Sequence, residues 1–245
     1  MTARADIERP DGTEPADEEM RDDWRTTTIA GGALVVVVVV VALIFRWHPG
    51  PNFLDNWGFS WIHSAFGNSF FQHMTDLRSW AFILAGSILA ALVVYARDRL
   101  RALACLIAPT LAILLVELLL KPVIGRRYAQ VLSFPSGTTT IVASVVTAWA
   151  LAVPRRIRPA VVIVGTFVIG LECISVIALR WHFPTDSLGG VIVGVGTVLM
   201  VDGLLHLAFG SRQDDAGQPA GSDGTRTADA TGATDMTDAT DASPS

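Results

Sequence analysis

Three short stretches of the chain carry side chains suited to handling an anion. Lys121 is the only lysine in 245 residues, and Arg126 and Arg127 follow it closely. Clustered Lys and Arg match phosphate oxygens in charge and in donor geometry. The plain alternative is that Lys121 snorkels to a membrane surface and pairs with Glu117, one helical turn before it. The second stretch is Phe134-Pro135-Ser136-Gly137-Thr138. A glycine turn opening a helix offers free backbone N–H groups and the positive end of the helix dipole, which favour phosphate. Ser136 and Thr138 add hydroxyl donors, although Pro-Ser-Gly is also an ordinary turn. The third stretch is Arg180-Trp181-His182-Phe183-Pro184-Thr185-Asp186. A histidine with a carboxylate four residues on can be held in one tautomer, ready as nucleophile or base. Alone, such a pair at a helix end is as readily structural.

What must bring these stretches together is a set of membrane spans. Twenty uncharged residues lie between Arg25 and Arg46, including valine at every position from 35 to 41. β-Branched runs favour strands in water. At this length, and in lipid, a helix is expected, because it satisfies its own backbone hydrogen bonds. A cleaved signal peptide would need a basic start and a small-residue cleavage site, whereas this segment follows an acidic stretch. Five further apolar segments follow at about 79–96, 102–120, 138–153, 159–179 and 187–209, mostly without the polar face of a soluble helix. The expected fold is therefore all-α, a six-span transmembrane bundle. Arg97, Arg99 and Arg101 mark one connection and Arg155, Arg156 and Arg158 another. The positive-inside rule places both in the cytoplasm, together with both termini. Loops 46–78, 121–137 and 180–186 then share the outer face, the last two carrying the three anion-handling stretches.

The net charge of −5 is unevenly spread. Residues 1–27 hold nine acids against four arginines, and 211–245 hold seven aspartates against two arginines, while 28–210 holds twelve bases against seven acids. No basic stripe on a polar surface is present, which argues against nucleic-acid binding. Both ends are poor in aromatics and are expected to be disordered cytoplasmic tails flanking a membrane domain at 28–210. The loop 47–76 is rich in Trp and Phe and suggests an interfacial aromatic belt with one amphipathic helix. Cys105 and Cys173 lie inside spans and suggest neither a disulfide framework nor a metal site. Glu172 and Asp202 also lie within spans, where charges are costly and often functional.

The order Lys…Arg, then Pro-Ser-Gly, then His-x-x-x-Asp resembles the type 2 phosphatidic acid phosphatase superfamily, which includes the vanadium haloperoxidases. The resemblance covers roughly residues 76–209 and includes Gly189-Gly190 after the aspartate. It implies a membrane bundle whose outward-facing active site hydrolyses lipid phosphates or diphosphates without a metal or other cofactor. Its partners would be membrane lipids. On this resemblance Lys121 and Arg126 bind phosphate, with Arg127 close by, and Ser136, Gly137 and Thr138 line its cradle. His182 is the nucleophile that forms a phospho-histidine, and Asp186 orients it.

The chain departs from that pattern in three places. Tyr128 and Ala129 stand where the first motif ends in Arg-Pro, so Arg126 or Arg127 must substitute. Val176 stands where the third motif has an arginine, leaving Arg180 to supply that charge. Thr138 replaces the histidine of the second motif, which helps protonate the leaving oxygen. A lipid alcohol depends strongly on that proton, and a missing general acid costs ~10²–10⁴ in rate. A diphosphate, whose leaving group is far less basic, is therefore the expected substrate. A histidine of the outer loop, His48, His63 or His73, is a second possible acid. A phospholipid-binding relative without catalysis is the alternative function.

Overall fold

The computed structural model describes residues 14–65 and 79–217, with side chains described for 24–62 and 79–210. Helix α1 (Glu14–Trp47) contains the valine run. It begins well inside the stretch expected to be a disordered tail, and the last helix runs on to Gly217 at the other end. Helix α2 (Phe53–Ala65) is the short aromatic helix of the loop that follows. Phe66, Phe70, Phe71 and His73 lie outside the described residues. Then come α3 (Trp80–Tyr95) and α4, which runs from Arg99 through a π-helical turn at Leu115–Leu120 to Ile124. A two-stranded hairpin, β1 (Arg127–Tyr128) with β2 (Val131–Leu132), leads to α5 (Gly137–Ala152), α6 (Arg158–Ala178) and α7 (Pro184–Gly217).

Among the described residues four stretches are long and apolar enough to cross a membrane: Trp24–Trp47, Arg99–Ile124, Arg158–Ala178 and Pro184–Gly210. The protein is thus all-α and membrane-like. Helices α3 and α5, expected as two further spans, have 16 residues each. At 1.5 Å per residue that is about 24 Å, short of the ~30 Å hydrocarbon core. Helix α5 nevertheless stands at the centre of the bundle, packed against α3, α4, α6 and α7 and buried along most of its length.

Close packing of α5 on α7 depends on two glycines of α7, four residues apart. A Cβ on Gly190 would lie 2.5 Å from the Ser136 carbonyl oxygen, and one on Gly194 would lie 2.6 Å from that of Thr140. Small residues at this spacing let helix backbones approach without intervening side chains. The consequence for the site is direct: the first turn of α5 is held against the first turn of α7.

The arginine-rich end is also tied together. Asp98 caps α4 by accepting from the Arg101 N–H at 2.8 Å, and its other oxygen lies 2.9 Å from His206 Nε2 on α7. Asp202, within the last span, accepts from Arg101 at 3.2 and 3.3 Å. Its charge is compensated in a part-buried ion pair. Glu172 is buried on α6.

Candidate functional site

His182 sits in a tight corner between α6 and α7, fixed from both sides. Helix α6 ends in a Schellman turn, with Trp181 N–H donating to Val176 O and Arg180 N–H to Ile177 O, both at 3.0 Å. That motif needs a left-handed residue, and Arg180 fills it at φ 56°. A side chain there is strained by roughly 1–2 kcal/mol. Arg180→Gly should therefore be more stable than Arg180→Ala by about 1 kcal/mol in thermal unfolding, both having lost the guanidinium. On the far side Pro184 opens α7, a position where its missing N–H costs nothing. Asp186 then reaches back to accept from the Phe183 N–H at 3.0 Å.

The imidazole is oriented by the backbone. His182 Nδ1 lies 2.9 Å from the carbonyl oxygen of Ser133. A carbonyl only accepts, so Nδ1 carries the hydrogen and Nε2 keeps its lone pair. Asp186, expected to do this orienting, is 3.9 Å from Nδ1, beyond hydrogen-bonding distance. Its influence on the ring is indirect, through the Phe183 turn. Burial, followed by the nearby charge of Lys121, pushes the His182 pKa down to about 4, against a smaller opposing effect of the Ser133 bond.

Asp186 is occupied by Arg126, and here the structure departs most from expectation. Arg126 is fully buried and uses all five of its N–H donors within the protein. Nε donates to Pro49 O at 3.2 Å. One terminal nitrogen donates to Thr185 Oγ1 at 2.8 Å and Asp186 Oδ1 at 2.5 Å. The other donates to Gly50 O at 3.2 Å and Asp55 Oδ2 at 2.6 Å. Phe45 and Phe183 lie against the guanidinium, with ring centroids 3.9 and 4.5 Å from its central carbon. No donor is left for a phosphate, so the phosphate-binding role expected of Arg126 is replaced by a structural one.

Asp55 is the partner that sequence reasoning missed. It is buried, and its second oxygen accepts from both the backbone N–H and the hydroxyl of Thr185, at 3.0 and 2.7 Å. It also closes a reciprocal cap at the start of α2, where Asn52 Oδ1 accepts from the Asp55 N–H and Asp55 Oδ2 from the Asn52 N–H. The available signal was the spacing Asn52-x-x-Asp55 in a loop otherwise rich in aromatics. Through this one carboxylate the short helix α2 is locked to the corner that carries His182.

The space in front of His182 is an open cleft of about 460 Å³. Its polar lining includes His182, Lys121, Glu117, Gly137, Thr138 and Ser79. Trp80, Ile113, Ile141 and Trp181 make up the rest. Glu117 lies on the π-helical turn of α4 and Lys121 just beyond it, their side chains 2.6 Å apart. π-Turns recur at functional sites, where the extra residue re-aims side chains. The carboxylate of Glu117 also lies against Gly137, with an oxygen 2.5 Å from where a Cβ would be.

The expected site residues therefore divide into two groups. Lys121, Gly137, Thr138 and His182 line one cleft. Ser136 is buried beneath it, its hydroxyl 3.2 Å from that of Thr138 and accepting from Thr139 at 3.1 Å. The Ser136 N–H donates to Asp186 O at 2.9 Å, joining α5 to α7. Arg127 is exposed on β1 and donates to Gln130 O at 3.0 Å. The hairpin explains this: Ala129 and Gln130 both have positive φ, as its tight turn demands, and successive strand residues point to opposite faces. Tyr128 consequently packs on Phe183 while Arg127 points away. Arg180 lines a separate pocket with Phe59, Ser60 and Tyr128. His48 is exposed and is not part of the cleft lining, and the His63 and His73 side chains lie outside the described residues.

Among the described residues no group of three or more His, Cys, Asp or Glu side chains is placed to hold a metal ion. Chemically the cleft offers an imidazole nitrogen with a free lone pair, one ammonium, one carboxylate and the start of α5. The first N–H groups of a helix have no partner within it. The chain matches no protein-family model, no curated protein and no solved structure.

Proposed function

We propose that the protein is a multi-pass membrane phosphatase of the type 2 phosphatidic acid phosphatase kind, acting on lipid phosphates and preferring diphosphates such as a polyprenyl diphosphate. The observation that carries this reading is a part-buried imidazole with Nε2 free, lining the same cleft as Lys121 and the start of α5. His182 Nε2 attacks phosphorus and the bond to the leaving oxygen breaks. Water then cleaves the phospho-histidine. Lys121 and the α5 N-terminus hold the phosphoryl oxygens, and Trp80, Ile113 and Ile141 suit the adjoining lipid. In this reading six spans cross the membrane, both termini are cytoplasmic and the cleft faces outward, as the arginine clusters imply.

Preference for diphosphates follows from Thr138, which donates a hydrogen bond but is no acid near neutral pH. With purified full-length protein, phosphate release should be at least about 10-fold faster from a polyprenyl diphosphate than from phosphatidate. Equal or faster release from phosphatidate would overturn that preference. A second reading, a phospholipid-binding protein without turnover, is favoured by one feature. Of the four cations expected at the phosphate, only Lys121 lines the cleft. Binding of both lipids without phosphate release from either would establish that reading instead.

A further inference from the structure

We propose that Glu117 is the general acid that protonates the leaving oxygen, a role the chain cannot give to Thr138; the inference rests on the phosphatase reading above. The preference for diphosphates stands because Glu117, ion-paired at rest, can act only after it has taken a proton from the bound substrate. Among the described residues the cleft holds one cation and one carboxylate, and they are paired at 2.6 Å. An incoming phosphate competes for Lys121, and a single ammonium cannot neutralise both a phosphate dianion and the Glu117 carboxylate. Binding therefore brings a proton. A phosphate monoanion carries one, and sharing it with Glu117 relieves the repulsion between the two anions.

That proton is then in the right place. Glu117 lies against Gly137, at the start of the helix that cradles the phosphoryl group, and its side chain is about half exposed to the cleft. Among the described residues the other ionisable groups lining the cleft are Lys121, on its own helix, and His182, from the corner between α6 and α7. The residues contributed by α5 and by the start of α3, namely Gly137, Thr138, Ile141, Ser79 and Trp80, do not titrate. In the first step the N–P bond to His182 Nε2 forms, the P–O bond breaks, and the Glu117 proton passes to the departing oxygen. In the second, the resulting carboxylate takes a proton from the attacking water. Water's oxygen bonds to phosphorus, the N–P bond breaks, and Nε2 regains its lone pair.

The experiment compares wild type with Glu117→Gln on the same two lipids. Phosphatidate, whose leaving alcohol is basic, should lose ~10²–10⁴ in rate. The diphosphate should lose less than about 10-fold, so that the variant's preference widens. Binding of inorganic phosphate gives a second measurement that does not need turnover. Titration calorimetry in buffers of different ionisation enthalpy should show proton uptake by wild type and less by Glu117→Gln. Equal losses on both lipids, or no loss on phosphatidate, would overturn the role of Glu117 alone. Wild type that binds phosphate but turns over neither lipid would overturn the phosphatase reading, and the general acid with it.

Discussion

Arg126→Ala is expected to cost the protein about 3–5 kcal/mol or more, the range for removing one partner of a buried ion pair. Two carboxylates, Asp55 and Asp186, would be left buried with their main counter-ion gone. Thr185 and the carbonyls of Pro49 and Gly50 would lose donors as well. Arg126→Lys should recover only part of this, because an ammonium has three donors where the guanidinium uses five. Lys121→Ala provides the contrast. Its partner Glu117 is about half exposed, and pairs of that kind contribute about 0–1 kcal/mol. Unfolding in detergent should therefore shift strongly for Arg126→Ala and little for Lys121→Ala, while phosphate affinity falls for the latter. An Arg126→Ala protein that unfolds like wild type yet binds phosphate poorly would restore Arg126 as a ligand.

The contrast between these two cations shows what the sequence could and could not convey. Apolar segment length was legible because lipid leaves the backbone few choices, and the valine run is a helix although its residues favour strands. The convergence of Lys121, Gly137, Thr138 and His182 was legible too, since alternate loops of a helical bundle share one face. Direction within a loop was not legible. Arg126 and Arg127 are adjacent, yet one is buried and the other exposed, because the extended backbone entering the hairpin sends neighbouring side chains to opposite faces. The partner of His182 was hidden for a related reason. Sequence displays the carboxylate of Asp186 but says nothing of a backbone carbonyl 49 residues away. Asp55 lay in a loop whose aromatic residues dominated its reading. Its buried contacts reach Thr185, 130 residues away, and could be found only in three dimensions.

His182→Ala is expected to abolish turnover, by at least about 10³-fold, since it removes the nucleophile rather than a supporting group. Added imidazole should restore part of the activity, which a merely structural role for the ring would not allow. The pH dependence follows from the same geometry. Because burial and Lys121 lower the His182 pKa to about 4, the nucleophile stays unprotonated well below the ordinary histidine value near ~6.5. The acid limb that His182 sets in the rate should therefore lie near pH 4, leaving its contribution flat from about pH 5 upward. Stability has the matching sign. Between the two values the unfolded chain binds the proton and the folded chain does not, so the contribution is complete above ~6.5 and is lost as pH falls towards 4. An acid limb near 6.5 in the wild-type rate would mean that the ring titrates as a solvated histidine. In that case burial and the charge of Lys121 would not be what keeps the nucleophile unprotonated.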